Sequence, residues 1–157
     1  MNGTGIVNGS TNLLLVEDNP IDVRLMRYAL QQEQTWNTEI TVAEDGEKAI
    51  NLLLAAASSS AQLVRPDFVI LDLNLPRRDG TEVLQTIRSM KELQDLPVAI
   101  VSSSPMDVIR GKVSTANVSA NCYFTKPMDV DSFLALGKEL HCCYEKSRPE
   151  KRIAASL

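Results

Sequence analysis

Several things this sequence does not have narrow its function before any motif is considered. It has no apolar run fit to cross a bilayer. The longest runs, such as Ala49–Ala57 interrupted by Asn51, fall well short of the roughly 20 residues a spanning helix needs. It has no excess of positive charge: 16 Lys+Arg against 20 Asp+Glu give a net charge of −4 and a pI of about 5.0. That excludes a global basic field for nucleic acid. No glycine-rich phosphate loop follows the first strand-like segment, where Glu17-Asp18-Asn19-Pro20 stands instead. The start, Met1 to Thr11, is rich in Gly, Asn, Ser and Thr. It lacks the basic and apolar regions of a secretory signal, so a cytoplasmic location is expected. The cysteines number only three: Cys122, Cys142 and Cys143. An odd count without a framework argues against a disulfide scaffold. Cys142 and Cys143 beside His141 have no second ligand cluster to join, so they read as thiols near a helix end rather than a metal site.

What is present is an alternation of strand-like and helix-like segments. Asn12–Glu17 (NLLLVE) is a short apolar run ending in acid, the pattern of a strand buried on both faces. Asn19-Pro20 supplies an N-cap and a first-turn proline, and Ile21, Leu25, Met26, Ala29 and Leu30 carry a helix to about Glu33. Thr38–Ala43 is a second strand, and Asp45-Gly46 leads into a helix over about Gly46–Ala57, followed by a polar loop at Ser58–Gln62. Pro66–Leu71 is the third strand, and a helix resumes near Thr81. Leu96–Val101 is the fourth strand. Ser104-Pro105 reads as a cap and proline for a helix to about Ala116, poor in helix formers because it holds Gly111, Val113, Ser114 and Thr115. Asn121–Thr125 is the fifth strand, and an amphipathic helix spans Asp129–Tyr144. With 157 residues there is room for one compact domain. We divide the chain into an N-terminal tail over 1–10, a domain over 11–145 and a C-terminal tail over 146–157. Five strand–helix units imply an α/β fold, a five-stranded parallel doubly wound sheet.

In such sheets ligands sit at the carboxyl ends of the strands. The first strand ends in Glu17-Asp18, the third in Asp72, the fourth in Ser102 and the fifth in Lys126-Pro127. Like charges brought together raise each other's pKa and destabilise the fold. A hard divalent cation such as Mg2+, which prefers oxygen ligands, resolves the conflict. Glu17, Asp18 and Asp72 sum to −3, and Mg2+ with Lys126 to +3. The neutralised site can then bring an anionic phosphoryl group to a carboxylate oxygen.

Leu13-Leu14-Leu15-Val16-Glu17-Asp18-Asn19, Asp72-Leu73-Asn74-Leu75-Pro76 with Asp79-Gly80, Val101-Ser102-Ser103 and Lys126-Pro127 resemble, in order and spacing, the signature of response-regulator receiver domains. The resemblance covers about residues 11–144 and implies a CheY-like, flavodoxin-like fold. Asn19-Pro20 with Asp22-Val23-Arg24-Leu25, and Asp72 through Gly80, look most like the stand-alone regulators that partner phytochromes. The resemblance implies that Asp72 accepts a phosphoryl group from a sensor histidine kinase, with only slow self-dephosphorylation rather than enzymatic turnover. It makes Glu17, Asp18, Asp72 and the Asn74 backbone carbonyl the Mg2+ ligands. Ser102 is expected to hydrogen-bond the new phosphoryl oxygen, although threonine is commoner there. Lys126 is expected to pair with Asp72 at rest and with the phosphoryl group afterwards, and Pro127 to follow a cis bond. Tyr123 stands where the family carries a switch aromatic. The implied output is a changed protein-interaction surface for a downstream protein, with homodimerisation through the fourth helix, fifth strand and fifth helix. The rival readings are a receiver that acts as a constitutive interaction module, or a metal-dependent phosphatase. The presence of Asp72, Asp18, Ser102 and Lys126 speaks against the first, and the lack of a motif for a separate substrate pocket against the second.

Overall fold

The structure, a computed structural model, describes residues 9–58 and 65–149. Its elements run β1 (Thr11–Val16), α1 (Pro20–Gln31), β2 (Thr38–Ala43), α2 (Gly46–Ala57), β3 (Phe68–Leu71), α3 (Gly80–Ser89), β4 (Val98–Ser102), α4 (Met106–Thr115), β5 (Cys122–Thr125) and α5 (Val130–Ser147). All pairings are parallel, in the order β2-β1-β3-β4-β5. This is the doubly wound α/β sheet expected from the alternation. Its order reverses at β1/β3, which opens a crevice between their carboxyl ends.

The apolar run of β1 is unbroken because both faces are covered. Leu14 and Val16 point into a core shared with α2, α3 and α4, through Leu53, Leu84, Ile87, Ile109 and Val113. Leu13 and Leu15 point into a second core shared with α1 and α5, through Met26, Leu30, Phe133, Leu136 and Leu140. Alternate residues therefore face opposite layers, as the pleat requires.

Local signals set most helix starts. Asn19 caps α1, its side chain accepting from the Ile21 and Asp22 N–H groups at 2.9 and 3.4 Å, with Pro20 in the first turn. Asp45 caps α2 through Lys48 N–H at 2.7 Å, and Asp129 caps α5 through Ser132 N–H at 2.9 Å. Asp79 and Glu82 form a reciprocal capping box at α3.

Four expectations need correction. Ser104 does not cap α4. Pro105 occupies that position with no side-chain cap bond, because the Ser104 hydroxyl is engaged by Asn74 at 3.1 Å. The Lys126–Pro127 bond is trans, as are all described peptide bonds, in keeping with the intrinsic preference of most X–Pro bonds. Helix α5 runs to Ser147, so the first residues assigned to a C-terminal tail belong to the helix. Cys122 and Cys143 are joined in a disulfide, with Cα atoms 6.4 Å apart, and Cys142 is free and exposed. The pair comes from β5 and α5, 21 residues apart in sequence, and only the packing of that helix on the sheet brings it together. The polar loop beyond Ser58, most of the N-terminal tail and residues 150–157 lie outside the described residues.

Candidate functional site

The carboxyl ends of β1, β3, β4 and β5 build one pocket. Backbone pairing sets its frame: Asp72 N–H donates to the Val16 carbonyl at 3.1 Å and Lys126 N–H to the Ser102 carbonyl at 2.8 Å. Gly80 opens α3 against the Asp72 backbone, where any Cβ would collide with the Asp72 carbonyl. A side chain at that position would push α3 off the loop that carries the site.

Glu17 and Asp72 are buried at 4% and 5% exposure, Ser102 is fully buried, and Asp18 is exposed at the rim. Glu17, Asp18 and Asp72 each offer an oxygen to one cluster, within 4.8 Å of one another. Lys126 Nζ stands beside them, 2.7 Å from Glu17 Oε1, 2.9 Å from Asp72 Oδ2 and 2.8 Å from Asp22 Oδ2. Burial pushes the Glu17 carboxyl up to about 7; the Lys126 hydrogen bond opposes this and the Asp72 charge adds to it. For Lys126, burial alone would lower the pKa, but hydrogen bonds to Asp22, Glu17 and Asp72 outweigh it and hold the ammonium above its ordinary value. The pocket thus crowds carboxylates around one cation. Small, hard oxygen donors at this spacing suit a hard divalent ion.

On the β4 side, Ser102 Oγ accepts from Asn74 Nδ2 at 3.2 Å and from Ser104 N–H at 3.4 Å. Asn74 also donates to Ser104 Oγ, accepts from Lys112 Nζ of α4 at 3.1 Å, and gives its backbone N–H to Asp72 Oδ1 at 3.0 Å. A polar chain therefore links Asp72 to α4 through Asn74. Tyr123 lies further along β5. Its hydroxyl accepts from Ala120 N–H at 2.8 Å, and the Arg110 guanidinium of α4 sits 4.7 Å from its ring centroid.

All the strand-end residues read from the sequence thus converge, while Tyr123 contacts the α4 side rather than the acidic cluster. Asp22 and Lys112 were missed as site residues. Asp22 reads as an ordinary first-turn acid, favourable at any helix N-terminus. Nothing in the sequence signals that Lys112, ten residues beyond Ser102, reaches back to Asn74.

A doubly wound domain with an acidic cluster and a lysine at its switch point has the layout of a receiver. The chain belongs to the response regulator receiver domain family, whose model matches residues 13–136. It is similar to the response regulator Rcp1 of Synechocystis sp., 33% identical over 114 residues, covering 73% of this chain and 75% of that one. A probable transcriptional regulatory protein of Mycobacterium tuberculosis, TcrX, is 33% identical over 119 residues; the match covers 76% of this chain but 44% of that longer protein. Among solved structures, the phosphorylated cyanobacterial phytochrome response regulator RcpA superposes with a TM-score of 0.74 at 33% identity, covering 84% of this chain and 91% of that one. The Mn(2+)-bound form of Rcp1 superposes at 0.70 with 29% identity, covering 83% and 91%. The chain is therefore a receiver of two-component signalling, a family of phosphoacceptors with an acidic pocket for a divalent metal. Among the described residues no helix is long and apolar enough to cross a membrane.

Proposed function

We propose that this chain accepts a phosphoryl group on Asp72 from the phosphohistidine of a sensor histidine kinase and signals through a changed protein-interaction surface. The observation that carries the reading is Asp72 itself, a buried carboxylate shared between the Glu17–Asp18 cluster and the Lys126 ammonium. In the transfer, an Asp72 oxygen forms a bond to phosphorus as the histidine N–P bond breaks, and the departing imidazole takes a proton from solvent. Glu17, Asp18, Asp72 and the Asn74 backbone carbonyl are the residues to hold Mg2+, which when bound supplies charge neutralisation for the phosphoryl oxygens. Lys126 offers its N–H groups to those oxygens, and Ser102 its hydroxyl. A charge-assisted hydrogen bond of that kind contributes about 1.5–3 kcal/mol.

Such an increment shifts a two-state equilibrium about 10- to 150-fold. That is enough if the responding element is only marginally held. Helix α4 fits, because it lacks a side-chain cap and buries only Ile109 and Val113. We assign the output to the face of α4, β5 and α5, with Tyr123 turning as Ser102 moves, and place homodimerisation on the same face. The likeness to RcpA supports a phytochrome as the kinase, and a cytoplasmic location follows from that partnership. Incubation with acetyl phosphate and Mg2+, read on a phosphate-affinity gel, should give a retarded band that Asp72→Asn abolishes. A label independent of Asp72, or none, would overturn the reading. Phosphotransfer from purified histidine kinases, biliprotein kinases among them, then identifies the donor.

A further inference from the structure

An ammonium carries three N–H donors, and Lys126 faces three carboxylate oxygens: Glu17 at 2.7 Å, Asp22 at 2.8 Å and Asp72 at 2.9 Å. All three donors are committed at rest. Glu17 and Asp72 also belong, with Asp18, to the cluster that a cation would draw together. Asp22 does not. It comes from the first turn of α1 and meets Lys126 across 104 residues of sequence. When the cluster carboxylates turn to a cation, Asp22 is left as the counter-ion of Lys126.

Its charge is also surplus to the neutral arrangement. Glu17, Asp18, Asp72 and Asp22 sum to −4, against +3 from a divalent ion and Lys126. Phosphorylation replaces the single negative charge on Asp72 with an acyl phosphate carrying about two.

We propose that Asp22 is a positioning residue that competes with the phosphoryl group for Lys126 and thereby shortens the life of the phosphorylated state. The inference rests on Asp72 as the acceptor. The step it governs is hydrolysis: a water oxygen bonds to phosphorus, the acyl O–P bond breaks, Asp72 leaves as a carboxylate and inorganic phosphate carries away the proton. Held towards α1, Lys126 gives the acyl phosphate less of the stabilisation it would otherwise provide.

The test follows decay of the label after small-molecule phosphorylation at saturating Mg2+, in wild type, Asp22→Asn, Asp22→Ser and Asp22→Glu. Asp22→Asn keeps an acceptor oxygen and removes the charge. It should lengthen the lifetime by about threefold or more, with the gain shrinking as salt rises. Asp22→Ser should do the same, and Asp22→Glu, which restores the carboxylate, should bring the lifetime back towards wild type. A separate readout needs no metal or phosphoryl group: the Lys126 ammonium protons, observed by NMR, should exchange faster with solvent in Asp22→Asn. An unchanged or shorter lifetime in folded Asp22→Asn and Asp22→Ser overturns the inference while leaving the acceptor reading intact. Absence of any Asp72-dependent label in wild type overturns the acceptor reading, and this inference with it.

Discussion

On one face of the sheet, α1 and α5 approach so closely that Gly137 has no room for a Cβ against the Ala29 backbone carbonyl. The same layer carries the Cys122–Cys143 disulfide and a stack of Trp36 on His141 and Tyr144, with centroids 4.5 and 5.7 Å apart. On the other face, α4 has no side-chain cap, and its Gly111 looks onto open space. Helix α4 is tied to the site by Lys112 on Asn74 and to β5 by Arg110 over Tyr123. Both are long, partly exposed side chains that can let go without opening a core. The contrast assigns different work to the two faces. A packed layer transmits little because it has one arrangement, whereas a lightly held helix has alternatives within a few kcal/mol.

Truncating a buried residue on each face tests that contrast most directly. Leu140 of α5 and Ile109 of α4 are both fully buried. Leu140→Ala should cost towards the top of the usual range of about 2–5 kcal/mol, and Ile109→Ala towards the bottom, because α4 can settle into the space. Equal losses in urea unfolding would break the comparison. Gly137→Ala should come next, destabilising by about 1–3 kcal/mol as α1 and α5 are forced apart. A neutral result would mean the tight face has slack.

The pocket where the faces meet supplies a pH test. The Glu17 carboxyl sits at about 7 in the fold against an ordinary 4.5. Between those values the folded protein holds a proton that the unfolded chain has lost, so stability without metal falls as pH rises through that window. Thermal melts should show this slope in wild type and lose it in Glu17→Gln. Mg2+ should offset the loss most at the alkaline end, where Glu17 is free to bind it. A stability that rose over the window would refute the assignment. The smallest effect belongs to Gly111→Ala, which should stabilise α4 by about 0.5–1 kcal/mol. If α4 is the responding element, its amide shifts on beryllofluoride addition should shrink in this variant.

Much of this molecule was legible in order along the chain. The cap at Asn19 acts on N–H groups two and three residues away, so its reading needed no tertiary knowledge. Ser104 shows where that logic stops. It looked like a cap, yet its hydroxyl was taken by Asn74, 30 residues back. The end of α5 was misplaced by three residues because its last turn, Glu145 to Ser147, is polar. The disulfide was missed because counting cysteines says nothing about which strand and helix will touch.

The sequence by itself determined the alternation of strands and helices, the doubly wound sheet and the gathering of Glu17, Asp18, Asp72, Ser102 and Lys126 at one edge. These follow from local periodicity and from the rule that parallel strands all end on the same side. Tertiary structure alone decided that Lys126 is shared three ways, that Asp22 is the third partner, that Asn74 bridges Ser102 to α4, and that α1 and α5 pack tightly while α4 is lightly held. Each of those depends on distances between residues far apart in the chain, set by how the layers pack rather than by any local pattern.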